Sequence, residues 1–314
     1  MKATLRLVSC AIGALALGST GASAQQATPP QVFAPGVISG PSNDADAAFL
    51  PDGATMLFSR DGAILESTKS GTGWTPPRIA PFSGRWMDAQ PTMAPDGSHL
   101  VFVSNRPLTA DAATHPGGNL WRVDRHGSDW GEPVHLPATV NRGNSIWGPS
   151  VAGDGSLYFM DRVDGKGPFR LWRAQASAGN YLAAVPVSFG DATTQDVDPC
   201  VAPDESFIVF SSKHPATDAH ERLYIAFREG SGWGKPVDLG DAVNGKGDND
   251  SNGARIGPDG RTLYFTSDRQ GPISYPRTRA QAEADLARIA AWDNGNQNIW
   301  RVSLAPWLDT AKKP

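Results

Sequence analysis

Residues 91–106, PTMAPDGSHLVFVSNR, hold a short apolar-leaning run, a break at Pro95-Asp96-Gly97 and an alternating run from Leu100 to Ser104. A proline at fixed φ, an aspartate that bonds its own backbone and a glycine tolerant of positive φ make a tight turn, and the strand formers after it alternate with period two. The pattern predicts a β-hairpin. It recurs over residues 44–60, 145–162, 196–213 and 251–269. The turn positions Pro51, Pro95, Gly153, Pro203 and Pro258 lie 44, 58, 50 and 55 residues apart. That spacing suits four-stranded propeller blades rather than helical repeats.

A third strand follows each hairpin: AILEST (63–68), NLWRVD (119–124), RLWRAQ (170–175), RLYIAF (222–227) and NIWRVS (298–303). Turns at Trp74, Trp130 and Trp233, with Tyr181 in the same place in the third repeat, introduce a fourth strand, and these aromatics read as packing between blades. The fifth repeat stops after its third strand, whereas QVFAPGVIS from Gln31 matches the fourth strands PVHLPATVN (133–141) and PVDLGDAVN (236–244) in character. The expected fold is therefore an all-β, five-bladed propeller of four-stranded blades. The N-terminal strand completes the last blade, which removes exposed sheet edges. An Ala-rich, charged stretch from Arg279 to Ala291 predicts a short helical insertion in blade five.

Composition adds limits. Residues 1–24 carry Lys2 and Arg6, an apolar run from Leu7 to Leu17 and the triplet Ala22-Ser23-Ala24. This reads as a secretory signal peptide cleaved near Ala24, so the product is expected in the periplasm or secreted. Residues 25–30 read as a flexible leader, 31–304 as a single domain and 305–314 as a tail. Removing Lys2 and Arg6 takes the net charge from −4 to −6, with Cys200 the only cysteine left. No intramolecular disulfide can form, and Cys200 reads as a buried, inert thiol. The acidic balance disfavours nucleic acid, whose phosphates need clustered Lys and Arg. No apolar run is long enough to predict a membrane span.

The repeats resemble the TolB-type β-propeller repeat, whose pattern P..SPDG..L.F.S(D/N)R precedes a third strand of (N/D)(I/L)(W/Y) type. The resemblance covers nearly all of residues 31–304 and implies an exported propeller that binds proteins or cell-wall components. It also extends to the propellers of prolyl oligopeptidases, but this sequence has no G-x-S-x-G elbow.

In such a ring the starts of the inner strands and the ends of the second strands meet at one mouth. Seven residues before the turns stand Asp44, Asp88, Ile146, Asp196 and Ser251, and five before them Asp46, Gln90, Gly148, Asp198 and Gly253. Asp248 and Asp250 precede the fifth inner strand. Arg60, Arg106, Arg162, Lys213 and Arg269 follow the second strands. Carboxylates about 6 Å apart repel by roughly 3 kcal/mol at an effective dielectric near 20. The basic ring, a divalent cation such as calcium or raised pKa values must answer that repulsion. Each Asp and Arg pair reads either as a staple between loops or as part of a polar ligand site.

Trp86 and Trp147 stand beside the carboxylates, where they could stack on a sugar or peptide or simply pack. His115, His214 and His220 lie in insertions at the mouth but have no recognised metal spacing. No cofactor is assigned.

Two functions follow as expectations. The first is a binding or scaffold propeller holding a protein segment or a cell-envelope glycan at the mouth. The second is a glycosidase or lyase working through mouth aspartates, with Asp88 and Asp196 the candidates. Such an enzyme commonly includes a Glu of raised pKa, whereas Glu66, Glu132, Glu205, Glu221, Glu229 and Glu283 all fall away from the inner-strand starts in sequence.

Overall fold

A computed structural model describes residues 28–109, 112–115, 117–162, 165–190, 194–213, 218–247 and 249–311. The expected signal peptide and residues 25–27 of the leader lie outside the described residues, as do Asp248 and His214.

The chain forms a five-bladed β-propeller. Its inner strands are Asp44–Phe49, Asp88–Met93, Trp147–Val151, Gln195–Val201 and Ser251–Ile256. Each pairs antiparallel with a second strand, and each second strand with a third. The outer strands are only two residues long, as at Arg78–Ile79, Val134–His135, Val185–Pro186 and Val237–Asp238. In the fifth blade the outer strand is Gln31–Val32, with Gln31 opposite Arg301 and Val32 opposite Trp300.

The sequence likeness between that closing segment and the fourth strands has a physical counterpart. After the outer strand, Asn141 and Asn244 each turn back so that the side-chain amide accepts from and donates to the backbone of Leu120 and Leu223. Ser39 does the same for Ile299 with its hydroxyl. Three blades thus use one side chain to stand in for further ladder bonds.

The apolar core consists of layers between adjacent blades. Phe58 and Met56 of blade one pack with Phe33 and Ile299 of blade five, and Leu57 and Ile64 pack with Phe102 and Trp121 of blade two. Alternate strand residues face opposite neighbours, so the inner and second strands are buried on both faces while the short outer strands stay exposed. The turn aromatics join blades as expected: Trp130 donates its indole N–H to Glu66 of blade one at 3.0 Å. The segment after the last strand is helical at Ala305–Ala311, with Leu308 buried against the core of blades four and five. The insertion of blade five holds the helix Arg279–Ala291, opened by a capping box between Thr278 and Gln281. No described helix is long and apolar enough to cross a membrane.

Candidate functional site

The topology sets the starts of the inner strands, the ends of the second strands and the long insertions on one rim. Asp44 and Asp88 begin their strands there and are fully buried. Arg60 donates to Asp44 at 2.6 Å and to the Ile38 carbonyl at 2.9 Å. Arg106 donates to Asp88 at 2.8 Å and to the Phe82 carbonyl at 3.1 Å, and lies over the rings of Phe102 and Trp121. Burial raises the Asp44 pKa, and the bond from Arg60 opposes that rise. Asp196 accepts from Ser212 at 2.7 Å and from Thr194 at 3.1 Å. In blade five, Ser251 replaces the aspartate and Arg269 bonds Ser251, Ser267 and the Val243 carbonyl. Desolvation brings the Arg269 pKa down to about 10.

Blade three solves the problem differently. Asp161, at the end of its second strand, accepts from Arg142 of the preceding loop at 3.0 Å, while Arg162 reaches the Gly167 carbonyl and stacks on Phe169. Lys213 donates to the Ala219 carbonyl. These contacts fix loops to blades.

The second column is the axial one. A register break interrupts every inner strand after Ala45, Ala89, Trp147, Val197 and Asn252. The next residue, Asp46, Gln90, Gly148, Asp198 or Gly253, has φ between 49° and 59°. This is the left-handed conformation of a β-bulge, which turns the N–H out of its own ladder. The neighbouring blades supply partners. Asp46 N–H donates to Thr266 at 3.3 Å, Gln90 N–H to Ser59 at 2.9 Å and Gly148 N–H to the Gln90 side-chain carbonyl at 2.9 Å. Gly253 N–H serves the Asp198 carboxylate.

Across the axis, Gln90 donates to Asp198 at 2.9 Å and Arg255 donates to Asp46 at 3.2 Å and to the Pro91 carbonyl at 3.3 Å. Asp46, Asp198 and Arg255 are 6 %, 7 % and 3 % exposed, so the network fills the middle of the channel. Desolvation pushes Asp46 up to about 6, with Arg255 opposing and Asp198 adding to the rise. Desolvation likewise raises Asp198. An axial cavity of about 180 Å³ opens on the far face, at the turns, lined by Pro51, Pro95, Pro203, Pro258, Cys200 and Arg255. Cys200 is a free, buried thiol whose pKa burial raises.

Sequence reasoning missed Glu221. It lies in the insertion of blade four, yet that loop folds back over the start of blade five. Asn252 donates to its carboxylate at 3.1 Å, its own N–H donates to Asp250 at 2.8 Å, and its carbonyl accepts from Ser251 N–H at 3.0 Å. Desolvation, with repulsion from Asp198 next, pushes Glu221 up to about 7. His220 lies 3.5 Å from Asp250, and His115 contacts the Gly117 carbonyl at 3.0 Å. Among the described residues no group of three or more His, Cys, Asp or Glu side chains is arranged to hold a metal ion. Trp147 donates to Ser145 and packs between blades, and Trp86 lies under Arg85.

No protein-family description matches the sequence, and no curated protein matches it. Solved structures do match in fold. One is a structure described as a TolB from Agrobacterium tumefaciens, 12 % identical over 84 % of this chain and 91 % of that one, with a TM-score of 0.51. The fold is that of a TolB-like β-propeller. This TolB-like ring is shared more widely. The GH43_1 enzyme of Xanthomonas citri is 14 % identical over 86 % of this chain and 90 % of that one, with a TM-score of 0.50. The xylan β-1,4-xylosidase of Bacillus halodurans C-125 is 9 % identical over 84 % and 53 %, with a TM-score of 0.51. At these identities the likeness concerns the fold alone.

Proposed function

We propose that the chain is an exported binding propeller that holds a protein segment or cell-envelope polymer at the rim where the inner strands begin. The observation that carries this reading is the division of labour on that rim. The axial carboxylates are committed to bonds between blades, while the insertions present apolar side chains to solvent: Leu108, Ile273, Tyr275 and Leu286, with Tyr275 75 % exposed. Large apolar groups on long loops over a rigid ring are what a partner surface requires. Measuring binding of purified envelope proteins and of peptidoglycan fragments to the wild type and to a Tyr275→Ala, Leu286→Ala double variant tests it. Saturable binding weakened at least tenfold by the variant is the expected result. Glycan hydrolysis by the wild type, or binding indifferent to the variant, overturns it.

One observation favours the second reading, a glycosidase. Glu221 has the raised pKa of a general acid and feels the Asp198 carboxylate nearby. In that case turnover on a glycan panel disappears in Glu221→Gln.

A further inference from the structure

The axial cavity on the far face is walled by one residue per blade, two places beyond the bulge: Ala48, Thr92, Ser150, Cys200 and Arg255. At the next place stand Phe49, Met93, Val151, Val201 and Ile256, which also line it. In every blade the residue after that donates its N–H across the turn, as Leu50 does to the Thr55 carbonyl and Ala202 to that of Phe207. Backbone groups alternate along an antiparallel strand, so the N–H and C=O one place earlier point away from the ladder, towards the axis.

Two of the five axial donors are answered by the neighbouring blade. Val201 N–H donates to the Ser150 hydroxyl at 3.0 Å and Ile256 N–H to the Cys200 sulfur at 3.2 Å. The other three face a different ring. Arg255 offers Phe49 no acceptor and Ala48 offers Met93 none. Beside Val151 stands Thr92, only 6 % exposed, and among the described residues no hydrogen bond reaches its hydroxyl. The wall between blades one and three therefore turns unspent backbone edges and a buried hydroxyl towards the cavity.

Size and charge narrow what fits. An apolar cavity of about 150 Å³ takes benzene, so about 180 Å³ holds a single six-membered ring with one polar substituent. Arg255 already carries the ion pair with Asp46 at 3.2 Å, so a carboxylate finds its charge answered, and an ammonium group is repelled by it. A cyclic amide presents a C=O and an N–H side by side, which matches the N–H and C=O of one inner-strand residue as an antiparallel partner does.

We propose that this cavity binds an uncharged amide of the lactam class, one ring in size. Its apolar body lies between Phe49, Met93 and Ile256, and its amide edge meets the backbone beside Thr92. The site opens between the turn prolines, opposite the rim, and is independent of the partner proposed there.

Amide NMR titration of the purified protein with δ-valerolactam, its N-methyl derivative and cyclohexane carboxylate tests the proposal. The lactam is expected to move the Phe49, Met93 and Val151 amide signals saturably in the millimolar range. The N-methyl derivative should bind at least fivefold more weakly and the carboxylate should leave these signals in place. Thr92→Val keeps the side-chain shape and removes only the hydroxyl, so it should weaken lactam binding about fivefold. Cys200→Met, which extends a side chain into the cavity, should abolish binding; if that variant fails to fold, Thr92→Val decides alone. Signals that do not saturate, a carboxylate that binds as tightly as the lactam, or affinity unchanged in Thr92→Val overturns the site.

Discussion

Asp44 and Asp46 leave the same inner strand two residues apart, as do Asp196 and Asp198, yet they act over different distances. Asp44 is bonded by Arg60 of its own blade, whereas Asp46 is bonded by Arg255 of blade five and Asp198 by Gln90 of blade two. The bulge between them makes the difference. By placing one residue at positive φ it breaks the alternation, so that the first side chain staples a loop and the second reaches another blade. Identical residue types thus secure a single sheet in one case and the relation among sheets in the other.

Removing Arg255 is the sharpest way to break this contrast. Arg255→Ala leaves Asp46 buried without its counterion, which should cost about 3–5 kcal/mol in urea denaturation. Hydrogen exchange should quicken in blades one, two and five together. Asp88→Ala should cost about 3 kcal/mol, because Arg106 is almost as deeply buried, but with faster exchange confined to blade two. If both variants loosen the same set of amides, the two columns are not separate devices.

The pH dependence sharpens the comparison further. The folded pKa of Asp46, about 6, exceeds its usual value of 3.8. Below 3.8 both folded and unfolded chains hold the proton, and above about 6 neither does, so stability falls as pH rises between those values. At 1.36 kcal/mol per unit the loss is about 3 kcal/mol. Asp46→Asn should abolish that part of the slope in Tm measured from pH 4 to pH 7. Gln90→Leu, which strips partners from Gly148 N–H and Asp198, should cost about 1–3 kcal/mol. Ser59→Ala, removing one acceptor from Gln90 N–H, should cost about 1 kcal/mol by the same measurement.

The ring was legible because its signals are local: Pro-Asp-Gly turns, alternating strands and the spacing between them. Closure was legible too, since Gln31 to Ser39 carries the pattern of a fourth strand and ends in a side chain able to bond the neighbouring backbone. Position brought Asp44, Asp88, Arg60 and Arg106 to one rim but left open whether they staple loops or hold a ligand; the pairing of Asp44 with Arg60 and of Asp88 with Arg106 is seen in the structure. The axial network was not legible. Asp46, Gln90, Gly148, Asp198 and Gly253 share a backbone conformation and no side-chain chemistry, so nothing in their identities announces the bulge. Arg255 sits inside a strand, where a cation reads as solvent-facing. Arg142 serves Asp161 from a loop, which makes Arg162 look like a member of a ring it does not join. Glu221 is far from blade five in sequence, and only the folding back of its loop brings it to Asn252.

The attachment of Gln31–Val32 to residues 298–303 has a consequence for how the ring comes together. Its partners are about 270 positions apart along the chain, so this contact carries the largest entropic cost of ordering and cannot nucleate folding. The two ladder residues are joined in fastening it by the Ser39 side chain, by Phe33 N–H, which donates to the Ile299 carbonyl at 2.8 Å, and by the buried Phe33 ring. The seam between first and last strands should therefore zip up last and part first, making it the latch through which the wheel breathes.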